Sequence, residues 1–188
     1  MGNKAYILRH LHAMAPGAVI ALVLFAAALP LRRMRLDRLK LKSPAWREAV
    51  LALFWAYCGA MLMVLLFPSD FDLLNVLRHG YEGPFFRLGN TNLQVLKTLG
   101  YSKLTFAANV FLFFPLGFCP ALLWRDGRWW KALLAALAVP AAVENWQLFI
   151  GRTFDVDDLI LNALGILLGF LLWRFFGDPK LHCVRNDR

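Results

Sequence analysis

Five long apolar runs, residues 14–31, 49–67, 104–124, 132–150 and 159–176, alternate with polar connections along the chain. A helix needs about 20 apolar residues to cross the hydrocarbon, and each run meets or approaches that length. None alternates with a period of two, which argues against a barrel. The pattern predicts an all-α polytopic membrane bundle of about five transmembrane helices, with residues 1–188 forming one membrane domain. Helix punctuation fits. Ser43 and Pro44 read as an N-cap followed by proline at the first helical position. Asp155, Asp157 and Asp158 open the fifth helix, where acidic groups suit the positive end of the helix dipole. Pro115 and Pro140 fall inside predicted spans and are expected to kink them, so that neighbours must satisfy the freed carbonyls.

The connections carry the charge. Segment 32–48 holds Arg32, Arg33, Arg35, Arg38, Lys40, Lys42 and Arg47 and reads as a basic cytoplasmic loop. Together with 125–131 and the tail it brings about fourteen Lys and Arg residues to one side, against seven on the other. The basic side is therefore expected to be cytoplasmic, leaving the N-terminus outside and the C-terminus inside. Trp46, Trp124, Trp129, Trp130 and Trp173 fall at that interface, as an aromatic belt does. A cleaved signal peptide is the competing reading of the first run, but it would export the basic segment against the charge rule.

Composition agrees: 60% of residues are hydrophobic and 18% charged, against about 45–50% and about 25% in soluble domains. The net charge of +9 lies between apolar runs, so membrane lipids with anionic headgroups are the expected partners and nucleic acid is not. Cys58, Cys119 and Cys183 lack metal-binding spacing and read as packing residues, and His10 with His12 forms an isolated pair. No metal or cofactor is expected. Connection 68–103 is the longest. Its apolar pieces, 71–77 and 93–99, read either as short interfacial helices or as an ordinary structured loop.

The informative polar residues lie in the last three spans. An ionisable residue within the membrane marks a functional site by default. Asn109 sits roughly 8 Å and Glu144 roughly 9 Å below the outer ends of their helices. Gln147 shares a face with Glu144, and Asn162 shares one with Asp158. Asn145 points elsewhere. With Arg152, Asp155 and Asp157 from the intervening connection, these residues are expected to form one polar cluster, open toward the outer leaflet and centred on Glu144. Arg152 offers a planar fork for a carboxylate or phosphate. The blander reading is interhelical hydrogen bonding, strongest for Asn109 and Asn162. Gly165 and Gly169 form a GxxxG stripe that predicts close helix packing, within the chain or in a homo-oligomer.

Asn109–Phe118 (NVFLFFPLGF), Val143–Gln147 (VENWQ) and Gly151–Gly165 (GRTFDVDDLILNALG), followed by Gly169, occur in this order. In these stretches the chain resembles the VanZ-like family of bacterial membrane proteins. The family core then covers about residues 68–176, including looser likenesses at FPSDF and NLQVLKTLG, while residues 1–48 supply a peripheral first helix and basic loop. Asn145, Trp146 and the missing proline of the NLQVL segment depart from the family pattern. The resemblance implies a multi-pass protein of the bacterial cytoplasmic membrane, linked to resistance to teicoplanin, a glycopeptide acting outside the membrane. It marks Asn109, Glu144, Gln147, Arg152, Asp155, Asp157, Asp158 and Asn162 as ligand-binding candidates. The leading expectation is a non-enzymatic protein whose pocket binds an amphiphile or lipid headgroup. The alternatives are an enzyme acting on lipid-linked cell-wall precursors, using Glu144 with Asp157 or Asp158, and a proton-coupled transporter.

Overall fold

The computed structural model describes residues 3–68, 71–81, 84–95, 103–124, 128–176 and 184–185. Among them are six helices: α1 (Asn3–Arg38), α2 (Ala45–Leu66), α3 (Leu73–His79), α4 (Lys103–Trp124), α5 (Trp129–Phe149) and α6 (Val156–Phe176). All but α3 contain stretches long and apolar enough to cross a membrane. The sequence pattern therefore finds all five candidate spans, with ends differing by a few residues in all but the first. Four two-residue strands pair in twos: β1 (Leu41–Lys42) antiparallel with β4 (Val184–Arg185), and β2 (Thr91–Asn92) parallel with β3 (Phe154–Asp155).

The beginning of the chain differs from the expected helix and loop. At 36 residues, α1 spans roughly 54 Å, well beyond the hydrocarbon. Its last turns carry Arg32, Arg33, Arg35 and Arg38, so much of the basic segment is helix. Arginine, leucine and methionine are good helix formers, and no breaker stands between Pro30 and Arg38. The turn comes at Lys40, in the left-handed region at φ 52°. Arg32 then reaches back across the turn to Glu48 on α2, at 2.8 Å. The expected cap also moves by one residue. Pro44 is itself the N-cap of α2, with no side-chain capping bond, while the Ser43 hydroxyl accepts from Arg47.

Helices α4 and α6 pack along most of their length, with α5 against α6 and α1 against α2. Glycine makes the α4–α6 seam possible. A Cβ on Gly165 would strike the Val110 carbonyl, one on Gly169 the Phe114 carbonyl, and one on Gly117 the Ile166 carbonyl. The GxxxG stripe is thus spent on close packing within the chain. Phe113 and Ile166 sit in this seam, 1% and 0% exposed, and join Met61, Leu65, Ala136 and Val143 in one core cluster. A second cluster of Phe25, Leu51 and Leu123 ties α1 and α2 to the C-terminal end of α4. There the Arg47 guanidinium donates to the Leu123 carbonyl at 3.1 Å. An apolar cavity of about 420 Å³ lies where α1 and α2 cross at Gly17 and Gly59, and no charged residue lines it.

Pro115 and Pro140 each lie inside a continuous helix. The Tyr57 hydroxyl of α2 donates to the Leu112 carbonyl, one residue from the carbonyl that Pro115 leaves without its helical donor. In connection 68–103, the first apolar piece becomes α3, capped by Asp72, whose carboxylate accepts from the Leu74 and Asn75 amides. The second is not helical over 93–95, and residues 96–100 lie outside the described residues. Cys183 lies outside them too, whereas Cys58 and Cys119 are free thiols.

Candidate functional site

The end of α2, the connection between α5 and α6, and the strand segment 87–92 meet at one end of the bundle. The last carbonyls of α2 have no partner within their own helix and need donors, most of all in lipid. No basic residue occupies the last turn of α2, so the donors come from elsewhere. Trp146 Nε1 donates to Leu66 at 2.8 Å, Gln147 Nε2 to Leu65 at 3.5 Å and Arg152 to Val64 at 2.6 Å. The guanidinium lies at the negative end of the α2 dipole, where a cation is stabilising. Arg152 therefore ties α2 to the connection as well as bringing charge to the cluster.

The connection is built by backbone pairing that the sequence pattern did not reveal. The Arg87 and Gly89 amides donate to the Phe149 and Leu148 carbonyls at 3.0 and 2.7 Å, and the Phe154 amide donates to Asn90 at 2.8 Å. Gly89 has no room for a side chain, because a Cβ there would strike the Arg152 carbonyl. Gly151 takes φ 78°, which a side chain rarely adopts, and Arg87 packs over it. Register then brings Asn92 opposite Asp155, and Asn92 Nδ2 donates to Asp155 Oδ2 at 2.8 Å. The other Asp155 oxygen accepts from the Asp157 amide at 2.9 Å, the bond of an N-cap. Asp155 thus caps α6, with Asp157 and Asp158 inside its first turn.

All eight expected residues stand at this end. Glu144, 1% exposed, accepts from the Asp155 amide at 3.1 Å and lies within electrostatic reach of Asp158, Arg152 and Asp155. Asn109 on α4 donates to the Asp158 carboxylate across the seam. Asn162 is one turn further along the face of Asp158, 3% exposed. Gln147 and Asp157 are also buried, at 4% and 3%, whereas Asn109, Arg152, Asp155 and Asp158 are half-buried. The cluster has a closed inner layer beneath a more accessible outer one. Asn145 does point away, bonding back to the Ala141 carbonyl on its own helix.

Asn92, Trp146 and the carbonyls of Val64, Leu65 and Leu66 complete the arrangement and were not among the expected site residues. Asn92 heads the NLQ segment, whose likeness to the family was the available signal. The α2 carbonyls follow from the general deficit at a helix end. Among the described residues, no group of three or more His, Cys, Asp or Glu is placed to ligate a metal. The site's chemistry is that of hydrogen bonding and charge. It offers carboxylate and amide acceptors, and its guanidinium is engaged with a helix end.

No curated protein and no solved structure matches the chain. A family model described as VanZ/LLP1 matches residues 54–177, about two thirds of the sequence, and takes in α2 from Phe54 onward together with the whole polar end of the bundle. The chain belongs to the VanZ/LLP1 family, as a multi-pass membrane protein.

Proposed function

We propose that the chain binds the polar head of an amphiphile or membrane lipid at the bundle end built around Glu144. Its occupancy there lowers a glycopeptide's access to targets outside the membrane or alters the envelope surface. The observation that carries this reading is the gathering of Glu144, Asp155, Asp157 and Asp158 at one end of an otherwise apolar bundle, two of them almost wholly buried. Burying carboxylates costs free energy that a structural role alone would avoid by using apolar side chains. The charge asymmetry of the connections supports an outward orientation of this end, in the leaflet facing the glycopeptide. Half-buried Asp158, Asn109 and Asp155 offer the contact surface, and the α2–α5 carbonyl contacts hold it in place.

Glu144→Gln is the test. The amide oxygen can still accept from the Asp155 amide, so the variant removes charge while keeping the bond that shapes the connection. In a teicoplanin susceptibility assay with membrane abundance measured in parallel, protection should be lost at unchanged abundance. Full protection by Glu144→Gln at equal abundance would overturn the reading. Arg152→Ala is the poorer test, because it also strips a donor from the end of α2.

A further inference from the structure

Asn162 Oδ1 is buried and has no hydrogen-bond partner among the described residues. Buried amide oxygens are almost always satisfied, and one that is not calls for an explanation. It lies one turn, roughly 6 Å, along α6 from Asp158, on the same face. Asp158 is half-buried and already accepts from Asn109. Among the described side chains, the local charge is one-sided. Four acidic side chains, Glu144, Asp155, Asp157 and Asp158, stand against Arg152 and, at the edge over Gly151, Arg87. What this end lacks, among the described side chains, is a small group that carries positive charge and several N–H donors.

We propose that Asp158 and Asn162 together receive a primary ammonium group, the headgroup class of an ethanolamine-type lipid. The inference rests on the headgroup reading above and specifies its ligand. The carboxylate supplies the charge, and the orphan Oδ1 accepts one N–H. A group received there has to be compact, because the glycines of the α4–α6 seam hold the helices close just beyond Asn162. A trimethylammonium has the same charge but no N–H to donate, and it is bulkier. The site therefore separates ethanolamine from choline on hydrogen bonding and size.

The experiment is native mass spectrometry of the full chain in detergent. Phosphatidylethanolamine, phosphatidylcholine and phosphatidylglycerol are supplied at equal concentration, with free ethylamine as a competitor in a further arm. The ethanolamine lipid should be retained about tenfold over the choline lipid, the weight of one charge-assisted hydrogen bond. Asp158→Asn, which leaves an acceptor for Asn109, and Asn162→Leu should each remove that preference. Thermal unfolding of each variant establishes that it is folded, and either one suffices if the other is not. Displacement by ethylamine shows that the ammonium itself is recognised. Retention that ethylamine does not reduce assigns the preference to the rest of the lipid and overturns the proposal. Equal retention of ethanolamine and choline lipids, lost in Glu144→Gln, would leave the headgroup site standing and overturn the ammonium assignment. Retention of no lipid by the wild-type chain would overturn both.

Discussion

Replacing Gly169 by alanine sets two physical effects against each other with opposite signs. Alanine is the better helix former, and exchanging a mid-helix glycine for it gains about 0.5–1 kcal/mol when there is room. At Gly169 there is no room. The new Cβ would strike the Phe114 carbonyl and lie 3.0 Å from the Phe118 amide nitrogen. Both are backbone atoms in the middle of α4, so no side-chain rotation relieves the contact and the helices must separate. Overpacking costs about 1–3 kcal/mol, and a backbone-on-backbone clash belongs at the upper end. The net expectation is a loss of about 2 kcal/mol, or roughly 4–8 °C in midpoint for a chain of this size.

The half-buried thiols Cys58 and Cys119 supply the assay. A thiol-reactive fluorophore added to the detergent-purified chain reports their exposure as the bundle melts. Leu168→Ala is the control: it neighbours Gly169, is 41% exposed and should change stability by less than about 0.5 kcal/mol. Gly165→Ala should also destabilise, because its Cβ would strike the Val110 carbonyl. The double variant should fall short of the sum, since a seam opened once has less left to lose. A midpoint unchanged or raised in Gly169→Ala would mean that α4 and α6 are not held in backbone contact.

Further outcomes follow from other contacts and from the expected sidedness. Trp146→Phe keeps an aromatic ring but leaves the Leu66 carbonyl without its donor, for a loss of about 1–3 kcal/mol in the thiol assay; Arg152→Met should lose at least as much, because it removes the donor to Val64 and also the cation facing Glu144 and Asp158. Glu48→Gln breaks the ion pair with Arg32, whose side chains are more than a quarter exposed, so the change should stay below about 1 kcal/mol and vanish in high salt. For sidedness, Arg78→Cys in a background lacking the native cysteines should react with an impermeant maleimide on intact cells. Lys42→Cys should react only after permeabilisation, and the reverse pattern would invert the expected orientation.

The spans were legible because lipid imposes one strong rule on every residue that faces it, and lengths of apolar sequence record that rule directly. The grouping of Asn109, Glu144 and Asn162 was legible for a related reason, as polar residues at matching depth in lipid have few partners besides one another. The route of segment 87–92 was not. It is fixed by backbone amides pairing with the α5–α6 connection, and backbone bonds leave little trace in side-chain pattern beyond Gly89 and Gly151. The extension of α1 through its arginines was missed because charge was read as loop. An arginine-rich helix can leave the membrane without unwinding, its side chains reaching headgroups and water.

The polar end holds residues of two kinds, and the distinction governs how any variant is interpreted. Trp146, Gln147 and Arg152 donate to carbonyls at the end of α2, while Asp155 caps α6 and meets Asn92. Their bonds close the fold, so their loss lowers abundance and function together. Asp158 and Asn162 stand apart: one is half-exposed and bonded to Asn109, the other has a buried oxygen with nothing to accept from. A fold selected only for stability would put a leucine at position 162, gaining packing and removing the orphan acceptor. Asn162→Leu should therefore raise the unfolding midpoint while abolishing headgroup preference. The two changes moving in opposite directions is the signature of a side chain kept for what it binds. If Asn162→Leu instead melts earlier than the wild type, the amide serves the packing of the seam, and its presence there no longer argues for a ligand.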